Sequence, residues 1–305
     1  MKSIVLPLPH TTIDMKGRVL KGIAGFYYVH TDQGLYECKA KGIFRKQKVK
    51  IIPGDYVEIE ILSCEERTGN IKSLVPRKNQ LIRPLVSNVE QAMVIFAASN
   101  PKPNFNLLDR LLLLMKEQEV SVLLVFNKCD LISLEEQQEL QNIYKKCGSK
   151  IFFTSSSRGE GLEDLKAELS GKTTVLAGPS GVGKSTTMNL LQDEVQMETG
   201  DVSEKIARGK HTTRHAELIV LEQDTYIVDT PGFSSLYSLD IEKEQLREYY
   251  EEFKPYNNSC RFLGCIHHKE PDCKIKSLVE QGEISLIRYE NYLQILQEIK
   301  EKKRY

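Results

Sequence analysis

Gly178-Pro179-Ser180-Gly181-Val182-Gly183-Lys184-Ser185, continued by Thr186, lies between the strand-like run Thr173 to Leu176 and an apolar stretch of helical character. The spacing is that of a phosphate-binding P-loop in its proper strand–loop–helix setting. Glycines let successive backbone N–H groups curl around a β-phosphate, and Lys184 is placed to reach β- and γ-oxygens. The Ser185 hydroxyl, at a helix N-terminus, suits a magnesium ion. The same loop resembles that of guanylate kinases, so it does not by itself select a nucleotide.

Working outward, Asn127-Lys128-Cys129-Asp130 ends the apolar run Val120 to Phe126. Guanine offers N1–H and N2–H₂ as adjacent donors, and one carboxylate, that of Asp130, can accept both; adenine has no such pair. Asn127 and Lys128 are expected to fix the loop and cover the base, and Thr154-Ser155-Ser156, after Ile151 to Phe153, to supply contacts to the guanine oxygen. Asp229-Thr230-Pro231-Gly232 follows Thr225 to Val228 in the manner of an Asp-x-x-Gly switch, with Asp229 serving magnesium through water and the Gly232 N–H sensing a γ-phosphate. Gly209-Lys210-His211-Thr212-Thr213-Arg214 reads as a first switch; Thr213 is preferred to Thr212 as the magnesium ligand. Phe233 stands where many GTPases place a water-orienting glutamine, which leaves His211 as the expected catalytic group.

The order of these elements is inverted. Asn127 precedes Gly178 by 51 residues, and no second Asn-Lys-x-Asp follows Asp229. Permutation preserves a site when the new termini fall in exposed loops, so an α/β P-loop domain with circularly permuted connectivity is expected. Strand-length apolar runs alternating with helical stretches (Asn106 to Lys116, Ser133 to Lys146) support the parallel sheet, and Glu217 to Leu221 with Thr225 to Val228 reads as a hairpin on it.

Upstream, from about Lys16 to Leu74, short β-rich runs separated by Gly, Asp and Asn suggest a small all-β barrel of the oligonucleotide-binding type. Pro76 to Pro84 reads as a linker. Residues 39–50 carry six basic side chains (Lys39, Lys41, Arg45, Lys46, Lys48, Lys50) and no acidic one, a candidate loop for RNA phosphates. Beyond Leu239 the chain reads as charged and helical, ending in a helix from about Ile284 to Lys302. Cys260, Cys265, His267 and Cys273 interrupt it with four soft or borderline ligands, suited to one closed tetrahedral zinc site; His268 is the alternative imidazole. The domains expected are therefore 1–75, 76–236 and 237–305.

Forty-two basic and forty-two acidic residues give no net charge, so any contact with RNA must be local. No apolar run approaches the roughly 20 residues of a membrane span, and no signal peptide opens the chain, which points to the cytoplasm. Taken together, the barrel, the permuted motifs, the Gly-Lys-His-Thr-Thr switch and the Cys/Cys/His/Cys cluster resemble the ribosome small subunit-dependent GTPase A family over nearly the whole chain. That resemblance implies GTP and GDP as ligands with Mg²⁺, one structural Zn²⁺, and a GTPase that assists late maturation of the small ribosomal subunit and contacts its rRNA, with ribosome-stimulated hydrolysis. A monomer without membrane contact is expected. Two positions depart from the family pattern: Arg214 stands where a third switch threonine is expected, and Thr154-Ser155-Ser156 replaces a Ser-Ala type element.

Overall fold

The structure is a computed structural model and describes residues 14–82, 84–196, 216–229 and 239–302. It divides into two compact units, one built on the N-terminal barrel up to Asn88 and including residues 216–219, the other carrying the remaining described residues from Val89 onward.

In the first unit, β1 (Asp14–Ile23), β2 (Phe26–Thr31), β3 (Gly34–Ala40), β4 (Tyr56–Ser63) and β5 (Thr68–Leu74) close a barrel in the order β1-β2-β3-β5-β4. Strand alternation explains the closure. In β4, Val57, Ile59 and Ile61 turn inward while Glu58 and Glu60 turn outward, and Val19, Val29, Cys38 and Ile71 meet them from the other strands. A short helix α1 (Gly42–Lys46) plugs this core with Phe44. The basic stretch 39–50 is thus not a simple loop: Lys39 belongs to β3, Arg45 and Lys46 to α1.

The segment expected to be a linker is ordered and tied to the barrel. It contains a two-strand ladder, β6 (Gln80–Leu81) with β7 (Val86–Ser87). Arg77 donates to both oxygens of the fully buried Asp55 carboxylate, at 2.7 and 2.8 Å, and the Ser87 hydroxyl and Ile52 N–H satisfy the rest at 2.6 and 2.8 Å. A buried carboxylate needs such compensation, and proline-bounded local sequence gives no sign of it.

The second unit centres on a six-stranded sheet made of β8 (Gln91–Ala97), β9 (Ser121–Asn127), β10 (Lys150–Phe153), β11 (Thr173–Ala177), β12 (Glu217–Glu222) and β13 (Thr225–Asp229), in the order β10-β9-β8-β11-β13-β12. All seven residues of β8 are buried, the pattern of a central parallel strand covered on both faces. The helices are α2 (Phe105–Glu117), α3 (Leu134–Tyr144), α4 (Leu162–Leu169) and α5 (Lys184–Gln196). Local caps set two of their starts. The Asn104 side chain accepts from Leu107 N–H at 2.9 Å, and Ser133 and Glu136 exchange bonds in a capping box.

Beyond Leu239 the chain differs from expectation: it forms short 3₁₀ turns at Leu246–Tyr249 and Lys254–Tyr256, and an α-helix appears only at α6 (Lys274–Glu280), followed by α7 (Leu286–Lys302). Pro255 removes a backbone donor that a continuous helix through this stretch would need. Tyr250, Phe253 and Tyr292 are fully buried and mutually in ring contact, and Leu113 of α2 joins the same core.

Candidate nucleotide and metal sites

The P-loop leaves the C-terminal end of β11 and enters α5, on the seam where β8 and β11 are neighbours. This is the point of an open parallel sheet at which a ligand crevice forms. Gly178 has φ +139° and a Cβ there would lie 2.1 Å from the Ile95 carbonyl of β8; Gly183 has φ +96° and a Cβ would lie 2.3 Å from Asn127 Nδ2. Both must be glycine for the loop to lie this close to its neighbours. Lys184 Nζ donates to the Gly178 and Pro179 carbonyls at 3.0 and 2.6 Å, which holds the ammonium over the loop. Ser185 and Thr186 are exposed in the first turn of α5, a position from which a hydroxyl can serve a nucleotide's cation. Pro179, Ser180, Gly181 and Val182 complete the turn.

Asn127, the last residue of β9, is buried and joins three segments. Its Nδ2 donates to the Val182 carbonyl at 2.9 Å; its Oδ1 accepts from Ser156 N–H at 3.1 Å, Ser156 Oγ at 3.0 Å and Thr154 Oγ1 at 3.2 Å. Lys128, in a left-handed conformation (φ 63°), donates to the carbonyls of Gly181 and Asn100 at 2.8 and 2.6 Å. Cys129 is buried and its N–H donates to the Thr154 carbonyl at 3.0 Å, so its part is to set the loop. Asp130 is left half-buried, with Ser155 Oγ donating to Oδ1 at 2.6 Å and Ser157 Oγ to Oδ2 at 3.2 Å. The Ser155 hydroxyl holds the Asp130 carboxyl below its ordinary range, keeping it an acceptor. The sequence-derived base and phosphate residues therefore meet in one place. Three participants escaped sequence reading: Ser157, the Asn100 carbonyl, and Thr187, whose hydroxyl pairs with that of Ser156 at 2.8 Å and donates to the Gly183 carbonyl at 3.0 Å. The run Lys184-Ser185-Thr186-Thr187 offered a local cue for the last of these alone.

Asp229 ends β13, where an Asp-x-x-Gly element is expected to begin. Thr212, Thr213, Arg214, the expected catalytic His211 and Gly232 lie outside the described residues. Of the basic stretch, Arg45, Lys46, Lys48 and Lys50 are exposed, Lys39 lies over the Phe26 ring at 4.9 Å, and Lys41 is paired with Glu60 at 2.6 Å.

Cys260, Cys265, His267 and Cys273 come together around a common point. The sulfurs of Cys260 and Cys265 lie 3.9 Å from that of Cys273, and His267 Nδ1 is 3.5, 3.4 and 3.4 Å from the sulfurs of Cys260, Cys265 and Cys273. A tetrahedral ion with metal–sulfur bonds of about 2.3 Å and metal–nitrogen bonds of about 2.0 Å requires sulfur–sulfur spacings of about 3.8 Å and sulfur–nitrogen spacings of about 3.5 Å. The five spacings given match these values, and all four donor atoms lie within 4.8 Å of one another, so the set fits such an ion. Burial, followed by the charge of Arg247, pushes His267 down to about 4, so the imidazole is neutral as a ligand must be. Burial pushes the Cys265 thiol up to about 12, a shift that a cation held by the four donors would reverse by stabilising the thiolate. His268 is not part of the cluster; its Nδ1 lies 2.9 Å from Lys300 Nζ.

A permuted strand order, a P-loop at the sheet seam and an Asn-Lys-x-Asp loop bonded into it define a circularly permuted P-loop GTPase. A family model described as RsgA GTPase matches residues 74–239, and one described as RsgA N-terminal domain matches residues 16–71. The small ribosomal subunit biogenesis GTPase RsgA of Agathobacter rectalis is 53% identical over 302 residues, covering 95% of this chain and 100% of that protein. Its counterpart from Alkaliphilus metalliredigens is 48% identical over 290 residues, with 95% and 99% covered. Among solved structures, YloQ, a circularly permuted GTPase, superposes with a TM-score of 0.77 at 34% identity (97% of this chain, 99% of that one), and YjeQ from Thermotoga maritima with 0.76 at 35% (94% and 99%). The chain belongs to the RsgA GTPase family.

Proposed function

We propose that this GTPase acts on the small ribosomal subunit during its late maturation and that its turnover is stimulated by that particle. The carrying observation is the bonding of the guanine loop into the phosphate loop, Asn127 to Val182 and Lys128 to Gly181, which makes base and phosphate recognition one rigid unit. The relatives named as small ribosomal subunit biogenesis GTPases match along 95% of the chain, which supports extending that role to it. Labour divides among a barrel that touches rRNA (1–75), a nucleotide-binding part (76–236) and a zinc-binding part (237–305). Arg45, Lys46, Lys48 and Lys50, with Lys39, form the RNA-facing patch; Lys41 contributes less because Glu60 already neutralises it.

At the nucleotide, Asp130 accepts from the guanine edge and the amides of 178–186 cradle the phosphates with Lys184; Ser185 and Thr213 would hold a magnesium ion, which would supply neutralisation of the phosphate charge. His211 orients the attacking water when the small subunit is bound. Cys260, Cys265, His267 and Cys273 bind one structural zinc; three thiolates favour it over harder cations. The protein works as a cytoplasmic monomer, and among the described residues no helix is long and apolar enough to cross a membrane. The deciding experiment is GTP hydrolysis with and without purified small subunits. Stimulation that is lost in His211→Ala, with subunit binding intact, is expected; equal rates with and without the particle would sink the proposal.

A further inference from the structure

The imidazole that meets the cysteine sulfurs through Nδ1 has a second nitrogen, and that nitrogen is not free. His267 Nε2 lies 3.3 Å from Asn257 Oδ1, and Asn257 Nδ2 donates to Glu248 Oε2 at 2.9 Å. Asn257 is 8% exposed and sits at the end of the 3₁₀ turn Lys254–Tyr256, so its amide has few other orientations. The polarity of this chain is forced. A carboxylate can only accept, so the amide turns its NH₂ toward Glu248 and its oxygen toward His267; an amide oxygen can only accept, so Nε2 must carry the ring proton. The Nδ1 lone pair is then the one left for the sulfur cluster. Further contacts hold the ring in register: the Phe253 ring meets the imidazole edge-to-face at 5.7 Å, and the Tyr289 hydroxyl donates to the His267 carbonyl at 2.8 Å. His267 itself has a left-handed backbone (φ 55°), a conformation that must be held by its surroundings.

We propose that Asn257, held by Glu248, is the positioning residue that selects the Nε2–H tautomer of His267 and so commits Nδ1 to the zinc ion. This rests on the zinc reading given above. A hydrogen-bond acceptor on the distal nitrogen fixes ring orientation and raises ligand basicity, and removing such a partner typically costs 10- to 100-fold in metal affinity. The acceptor, rather than the bulk of the side chain, carries the effect.

The experiment uses the full chain loaded with zinc. Long-range ¹⁵N–¹H correlation on the unsubstituted protein reads which ring nitrogen of His267 bears the proton, and competition with a chromophoric chelator reads zinc affinity. A proton on Nε2, a loss of about 10- to 100-fold in affinity in Asn257→Leu, and affinity within a few-fold of the parent when Asn257→Asp is combined with Glu248→Gln, which keeps the acceptor toward His267 and supplies the donor that holds it, are expected. Zinc bound through Nε2 with the proton on Nδ1 would overturn the proposal without any variant, as would an Asn257→Leu protein that folds and holds zinc as tightly as the parent. Should the leucine variant fail to fold, the tautomer measurement still decides. Absence of zinc from metal-replete protein by elemental analysis is a separate outcome and overturns the zinc reading itself.

Discussion

Replacing Arg288 with methionine should destabilise the protein out of proportion to the size of the change. Arg288, on α7, is 3% exposed and bonds Asp109 of α2 at 2.5 Å and Glu252 at 2.7 and 3.2 Å, with its guanidinium 4.7 Å from the Tyr250 ring and 5.3 Å from that of Tyr144. Burial opposes its charge, but Asp109 and Glu252 outweigh it and hold its pKa well above the ordinary value. Methionine fills much of the same volume yet leaves two buried carboxylates facing each other. Asp109 keeps Asn291 Nδ2 at 2.8 Å and the Tyr144 hydroxyl at 3.1 Å, whereas Glu252 loses both arginine bonds. Breaking one partner of such a buried group costs about 3–5 kcal/mol. At 2–4 °C per kcal/mol for a domain of this size, that is a fall in Tm of roughly 6–20 °C. Adding Asp109→Asn and Glu252→Gln to the same protein should recover most of the loss, because the uncompensated charge is then gone. The pH dependence has a definite sign. Burial raises the Asp109 carboxyl despite Arg288, and a carboxyl raised on folding penalises the folded state above its ordinary value and not below it. The Arg288→Met deficit should therefore shrink as pH falls into the ordinary carboxylate range. Urea unfolding at neutral and acidic pH measures all of this. A single variant within 1 kcal/mol of the parent at neutral pH, or a deficit that grows on acidification, refutes the reasoning.

Asp130→Asn replaces an acceptor with a donor at the guanine edge and should cost about 1–3 kcal/mol in GTP binding, roughly 5- to 150-fold, read by titration calorimetry against ATP; unchanged guanine preference counts against the assigned role. Gly183→Ala puts a methyl group 2.3 Å from the buried Asn127 Nδ2 on a positive-φ backbone, so nucleotide affinity should fall about tenfold or more and thermal stability should fall with it; Gly178→Ala, whose methyl meets backbone in β8, should likewise lower both, and a benign Gly178→Ala would contradict the loop geometry. Chelation of metal should expose Cys260, Cys265 and Cys273 to thiol reagents and loosen the elements after Leu239 before the sheet, as hydrogen exchange would register; uniform loosening argues that the metal does not close that part of the fold.

Much of this architecture was legible because its signals are local. The P-loop and Asn-Lys-Cys-Asp carry their chemistry within a few residues, and the alternation in β4 marks a barrel wall without reference to the rest of the chain. What escaped was set by residues distant in sequence. Arg77 and Asp55 make an ordered segment out of a stretch whose prolines read as a linker, and nothing in either neighbourhood announces the pair. Asn257 and Thr187 act through what they face, and a polar residue at the end of a turn or on a helix looks the same with or without such a partner. The stretch after Leu239 misled because its charge suits a helix, while its aromatic residues and metal ligands are held by packing that no periodicity records.

The sheet order has a bearing on how the protein is made. β8, β9 and β10 form one contiguous half and β11, β13 and β12 the other, joined along the single ladder that runs from Gln91 with Thr174 to Val94 with Ala177. A chain emerging from its own ribosome at about 5–20 residues per second completes the half that carries Asn127 to Asp130 some seconds before β11 exists. The Asn127 to Asp130 loop is synthesised with its exposed sheet edge waiting at β8, and the P-loop meets it only when the later half docks along that edge. A GTPase with the ordinary gene order makes its phosphate loop first; in this one the last half to arrive brings the phosphate loop with it.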